Sequence, residues 1–101
     1  MSNQMKHKQR FRPAKFRSLV RYVIQEQAKH PLQPMTLERL HVTLYLIEFE
    51  HFKRFGRGIS NPTFIRGNNY PECLQLEQAL QQLLQDGSVT LLPSRDYFSM
   101  V

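Results

Sequence analysis

The segment from Thr36 to Gly56 constrains this chain more than any other. Leu37, Leu40, Leu44 and Ile47 recur at helical spacing, and Val42, Leu46, Phe49 and Phe52 form a second apolar set, with Tyr45 between the two. A helix apolar over so much of its circumference has to lie centrally and pack on more than one side, so the rest of the chain must supply its neighbours. Its ends are marked as well. Thr36 suits an N-cap, Lys53 and Arg54 complement the C-terminal dipole, and Gly56 suits a left-handed terminator near Phe55.

The flanking segments read as shorter elements. Pro13 suits a first helical position, and Phe16, Leu19, Val20, Val23 and Ile24 then trace one stripe of a helix ending near Lys29 or His30. Pro31 and Pro34 make a connector. Glycine and asparagine turn signals over residues 57–70 surround a short extended piece, Thr63 to Arg66. Pro71 and Glu72 open a third helix, which carries Cys73, Leu76, Leu80, Leu83 and Leu84 on one side. Its other side holds Gln75, Gln78, Gln81, Gln82 and Gln85, and Asp86-Gly87 ends it. Val89 to Leu92 and Asp96 to Val101 pair as a hairpin.

The expected fold is therefore mainly α within an α+β class. It has three to four helices, a short strand and a C-terminal β-hairpin that gives a winged-helix-like end. Residues 1–12 read as a flexible basic arm and 13–101 as a single domain. A chain of 101 residues has no room for separate cofactor and substrate domains, so a two-domain enzyme is excluded.

Charge is distributed unevenly. Lys6, Lys8, Arg10, Arg12, Lys15, Arg17 and Arg21 all precede the first acid, Glu26. From Tyr22 onward seven basic residues face eight acidic ones, so the net charge of +6 belongs to the arm and the first helix. Such an arm is a solubilising tail or is attracted to something acidic, either nucleic acid or an acidic protein face. If all seven cations met phosphates, log K would fall with log salt at a slope of about −6. The single cysteine allows no intrachain disulfide, no apolar run is long enough to span a bilayer, and the basic N-terminus reads as no secretory leader. A cytoplasmic protein is expected.

No constellation of side chains points to catalysis. His41 and His51 are ten residues apart and do not form the i, i+4 pair of a helical zinc site. His41 and Glu48 are able to share a face, whereas Glu48 and Glu50 diverge around the helix. Cys73 on the apolar stripe reads as a small core residue. Gly56-Arg57-Gly58 follows a helix and leads into an extended stretch, so it is not a phosphate-cradling glycine loop. Arg57 and Arg66 offer an anion contact near that loop, and the glutamine face offers uncharged hydrogen bonds to a partner. No catalytic residue, cofactor or metal is expected.

The run Leu44-Tyr45-Leu46-Ile47-Glu48-Phe49-Glu50-His51-Phe52-Lys53-Arg54-Phe55-Gly56-Arg57-Gly58-Ile59 resembles the core of the Panacea domain. Arg39-Leu40-His41 looks like that family's entry into the same helix, and Phe16 with its helix matches the first. Ile59 to Ile65 looks like the family's loop and short strand, and Leu80 to Val89 like its late Leu-Leu-x-x-Gly-x-Val stretch. The resemblance covers roughly residues 11–92. It departs at Val42 and Thr43, and at Gly67-Asn68-Asn69 ahead of Tyr70-Pro71. It implies an antitoxin-like protein that binds and neutralises a toxin or host factor, as in toxin–antitoxin pairs, phages and mobile elements, where some members hand the toxin to a protease. Phe49, His51, Arg54, Arg57, Arg66, Gln78 and Gln82 are the expected partner contacts. The alternative is a small basic winged-helix-like regulator that contacts nucleic acid through the seven arm cations.

Overall fold

The stripe on the first helix places the core. In the computed structural model, which describes residues 10–30, 35–92 and 97–100, α1 runs over Pro13–Gln27 with its proline at the helix start. Phe16, Val20, Val23 and Ile24 are buried, as the i, i+4, i+7, i+8 spacing requires. The helix stops short of Lys29, and the chain leaves it in a turn that bonds Lys29 N–H to the Glu26 carbonyl.

Strand β1, Met35–Thr36, runs straight into α2, Leu37–Phe55. Thr36 caps the helix, its Oγ1 accepting from Arg39 N–H at 3.2 Å, a contact worth about 1 kcal/mol. At the other end Gly56 takes φ 73°, and its N–H reaches the Phe52 carbonyl. Both helix ends fall where the sequence puts them.

The next region departs from expectation. Pro71, Glu72 and Cys73 do not open a helix; they form β3, Pro71–Cys73, antiparallel to β2, Phe64–Arg66. Phe64 lies opposite Cys73 and Arg66 opposite Pro71, around a turn at residues 67–70. Helix α3 starts only at Leu76 and ends at Gln85. Tertiary hydrogen bonds favour the strand: Cys73 N–H donates to His41 Nδ1, and Leu74 N–H donates to the Thr63 carbonyl, where an α3 begun at Pro71 would turn it to the Tyr70 carbonyl. Cys73 is buried as a small core residue, but from a strand.

Strands β4, Val89–Leu92, and β5, Tyr97–Met100, form the expected hairpin. Its connection and Asp96 and Val101 lie outside the described residues. The two-residue β1 joins β5 on its free side, Met35 opposite Phe98, so the sheet order is β1-β5-β4. The result is an α+β fold with three helices among the described residues. The core gathers the α1 stripe, Leu40 and Leu44 of α2, Leu76, Ala79, Leu80 and Leu83 of α3, and Met35, Cys73 and Val89 from the strands. Each fully buried large aliphatic or aromatic side chain contributes about 1.5–3 kcal/mol. Among the described residues, no helix is long and apolar enough to cross a membrane.

Candidate functional site

The second apolar face of α2 is not covered. Val42 is half-buried, but Leu46, Phe49 and Phe52 remain 52%, 46% and 54% exposed. The inner face, with Leu40, Leu44 and Glu48, is buried. Helix α2 therefore packs on α1 and on the strands β1 and β3, and its Leu46–Phe49–Phe52 side meets solvent, where the sequence led us to expect a neighbour.

Of these side chains Phe49 is ordered against half-buried neighbours. Phe49 stacks on Tyr45 with ring centroids 6.0 Å apart and planes within 4°. Tyr45 meets Phe64 of β2 edge-on at 5.3 Å, which joins the helix to the hairpin. Lys53 Nζ lies 5.4 Å from the centre of the Phe49 ring and 3.6 Å from Glu50 Oε2. Beside this row, Tyr45, Phe64, Ile65, Arg66, Tyr70 and Pro71 line much of a cleft of about 500 Å³. Ile65 is also exposed. The row thus continues from α2 onto the β2–β3 hairpin, and a ligand surface seated there would touch both elements.

A second feature is built on the inner face. Glu48 is buried, yet its carboxylate is fully used: Oε1 accepts from Ile59 N–H at 2.8 Å, and Oε2 from Ser60 N–H at 2.9 Å and Ser60 Oγ at 2.7 Å. This clamp fixes the loop after α2. On the loop's outer side His51 Nδ1 lies 2.7 Å from the Arg57 carbonyl. Because a carbonyl only accepts, Nδ1 carries the proton. The loop in turn holds the last residues of the basic arm. Arg12 N–H donates to the Ser60 carbonyl at 2.8 Å, and Asn61 Nδ2 to the Arg10 carbonyl at 3.1 Å. Asn61 takes φ 62°, a left-handed conformation that asparagine tolerates better than most residues. Phe11 packs edge-on against Phe16, 5.6 Å away. Residues 10–12 are therefore docked, and residues 1–9, with Lys6 and Lys8, lie outside the described residues.

Docking brings Arg10, Arg12 and Lys15 together with Arg57 around a cavity of about 300 Å³, also lined by His51 and Asn61. Arg17 and Arg21 go elsewhere. Arg17 Nη1 donates to Gln82 Oε1 of α3 at 3.0 Å, and both arginines bear on Asp86. The Asp86 carboxyl is held below its ordinary value, first by its hydrogen bonds to Ser88 and then by these cations.

The expected partner contacts scatter across the molecule. Phe49 lies on the aromatic row, Arg54 is exposed on the last turn of α2, and Arg66 borders the hairpin cleft. His51 is half-buried and organises the loop, while Arg57 lines the basic cavity, so Arg57 and Arg66 do not share an anion contact. Gln78 and Gln82 are exposed on α3, but Gln75 precedes that helix and bonds Thr63 N–H through Oε1 at 2.8 Å. Tyr45, Leu46, Phe52, Phe64 and Ile65 were not singled out as contacts in the sequence. Their only signal there is an apolar surplus beyond what three short helices are able to bury.

His41 and Cys73 serve the packing between α2 and β3. His41 Nδ1 accepts from Cys73 N–H, so the ring is neutral at this nitrogen; burial lowers its pKa, partly opposed by Glu72. His41 and Glu48 thus serve different partners. Burial pushes the Cys73 thiol up to about 11, which keeps it protonated and weakly nucleophilic at neutral pH. Among the described residues no three His, Cys, Asp or Glu side chains converge. Compared with family models, curated proteins and solved structures, the chain has no match.

Proposed function

We propose that this protein is a non-enzymatic binder that neutralises a partner protein, antitoxin-like or as an inhibitor carried by a phage or mobile element. The observation that carries the reading is the exposed set Leu46, Phe49 and Phe52, with Phe49 stacked on the half-buried Tyr45, which in turn meets the half-buried Phe64. A contiguous exposed apolar surface on a packed helix marks an interaction site, and ordered aromatic side chains lose little conformational entropy on binding. Lys53, paired with Glu50, and Arg66 border the row, so the complementary partner offers apolar side chains within a polar rim. The resemblance of residues 44–59 to the Panacea core supplies the neutralising role, which the geometry alone does not specify.

Co-expression with the toxin-like product of the adjoining gene tests this. Wild-type protein is expected to restore growth, and Phe49→Asp to abolish both rescue and co-purification while leaving circular dichroism unchanged. Rescue undiminished by Phe49→Asp overturns the assignment of the face. So does light scattering that shows a dimer of this chain dissolved by the same substitution.

A second reading, a winged-helix-like nucleic-acid binder, draws support from the sheet order β1-β5-β4 and from the element order α1-β1-α2-β2-β3-α3-β4-β5, in which the β2–β3 hairpin is inserted between α2 and α3. The exposed side of α3 counts against major-groove readout. It offers Glu77, Gln78, Gln81, Gln82 and Gln85 and no lysine or arginine.

A further inference from the structure

We propose that Arg10, Arg12, Lys15 and Arg57 form a phosphate-binding cradle. Four cations from three segments line one cavity: the docked end of the arm, the first turn of α1 and the loop after α2. None of the residues lining that cavity is acidic. The Glu48 carboxylate lies beneath the loop and accepts three hydrogen bonds from Ile59 and Ser60. Even with Glu48 included, the cations outnumber it four to one.

The cradle differs from an ordinary cationic surface in how its members are held. Long surface cations normally swing apart to relieve repulsion. Here the backbone of Arg10 is tied to Asn61, that of Arg12 to Ser60 and that of Arg57 to His51. The fold thus ties the arm's end and the loop together by their backbones, so that four exposed cationic side chains line one concavity and like charges gather there. A phosphate group would relieve that repulsion and accept charge-assisted hydrogen bonds from the guanidinium forks. Gly58 suits the same purpose. A Cβ there would lie 2.5 Å from Glu48 Oε1 and Asn61 Oδ1, so a side chain at 58 would dislodge the residues that hold the cradle's shape.

The inference stands on the cavity and not on the protein-binding face, and it gives the nucleic-acid reading a definite place to act. The phosphate belongs either to a nucleic-acid backbone or to a free phosphate, and the same titrations separate the two. The full chain is titrated with inorganic phosphate, followed by amide NMR at constant ionic strength, and with a fluorescein-labelled 20-nucleotide single-stranded DNA, followed by anisotropy. Arg57→Ala removes a cradle charge but keeps the carbonyl that holds His51. Lys29→Ala removes one charge at the far end of α1, where Lys29 pairs with Glu26.

We expect saturable shifts at Lys15, Arg57, Gly58 and Asn61 with phosphate, weakened about tenfold by Arg57→Ala and unchanged by Lys29→Ala. If a nucleic-acid backbone is the source, DNA binding shows the same contrast, with a salt slope near −3 for four contacts, reduced by about 0.7 in Arg57→Ala. Phosphate binding without DNA binding keeps the cradle and removes the nucleic-acid reading. Binding of neither ligand, or equal weakening by both substitutions, overturns the cradle.

Discussion

The two faces of α2 are close in composition and opposite in fate. The inner face buries Leu40, Leu44 and Glu48 under α1 and the strands, whereas the outer face leaves Leu46, Phe49 and Phe52 about half in water. The inner face also holds the more polar member, because the Glu48 carboxylate has three donors waiting for it. Burial on this helix is therefore decided by which neighbours the chain can bring up, and not by the hydropathy of the side chain alone. One 15-residue helix and a few short strands cover one side of a 19-residue helix and no more.

The sharpest test sets one face against the other. Leu44→Ala is expected to cost about 3 kcal/mol through lost transfer energy and the cavity left behind, while Phe49→Ser should stay within about 0.5 kcal/mol of wild type. Urea denaturation measures both, and comparable losses would mean that the outer face is structural. Next in size is Glu48→Ala, which strands two backbone N–H groups and the Ser60 hydroxyl at a cost of about 2 kcal/mol. It should also release the arm, seen as faster amide exchange at Arg12, whereas Glu50→Ala on the exposed side should change neither.

The smallest effect concerns His41, at the margin between the faces. Its folded pKa lies below the ordinary 6.5, so the unfolded chain binds the proton more readily. The contribution of His41 is fully present above pH 6.5 and is lost as pH falls from there toward the folded value. Urea midpoints for wild type and His41→Asn should show a gap that narrows through this window. A constant gap from pH 7.5 to 5 would mean that Nδ1 is not held as an acceptor.

Much of the scaffold was legible because its signals are local. Pro13, the Phe16–Ile24 stripe, the Thr36 cap and Gly56 each act within a few residues of themselves. What the sequence hid depends on distant partners. Cys73, Leu76 and Leu80 fit a helical period, and proline is welcome at a helix start, so Pro71–Cys73 reads as helix until His41 and β2 offer its N–H groups and edge something better. Strand β1 has two residues and exists only because β5 pairs with it from the far end of the chain. The basic cavity was equally hidden. Arg57 reads as a partner contact beside the central helix, and only Asn61 and Ser60, by seizing the arm, set Arg10 and Arg12 next to it.

The junction at Thr36 has a mechanical consequence. This residue pairs with Tyr97 and caps α2, with no linker between the two duties. The last strand is therefore a latch on the helix that bears the aromatic row. Peeling β5 away, by a protease or by a competing strand, would unpair Thr36 and loosen the first turn of α2 in one motion. The start of the helix that carries the exposed aromatics is thus governed from the opposite end of the chain.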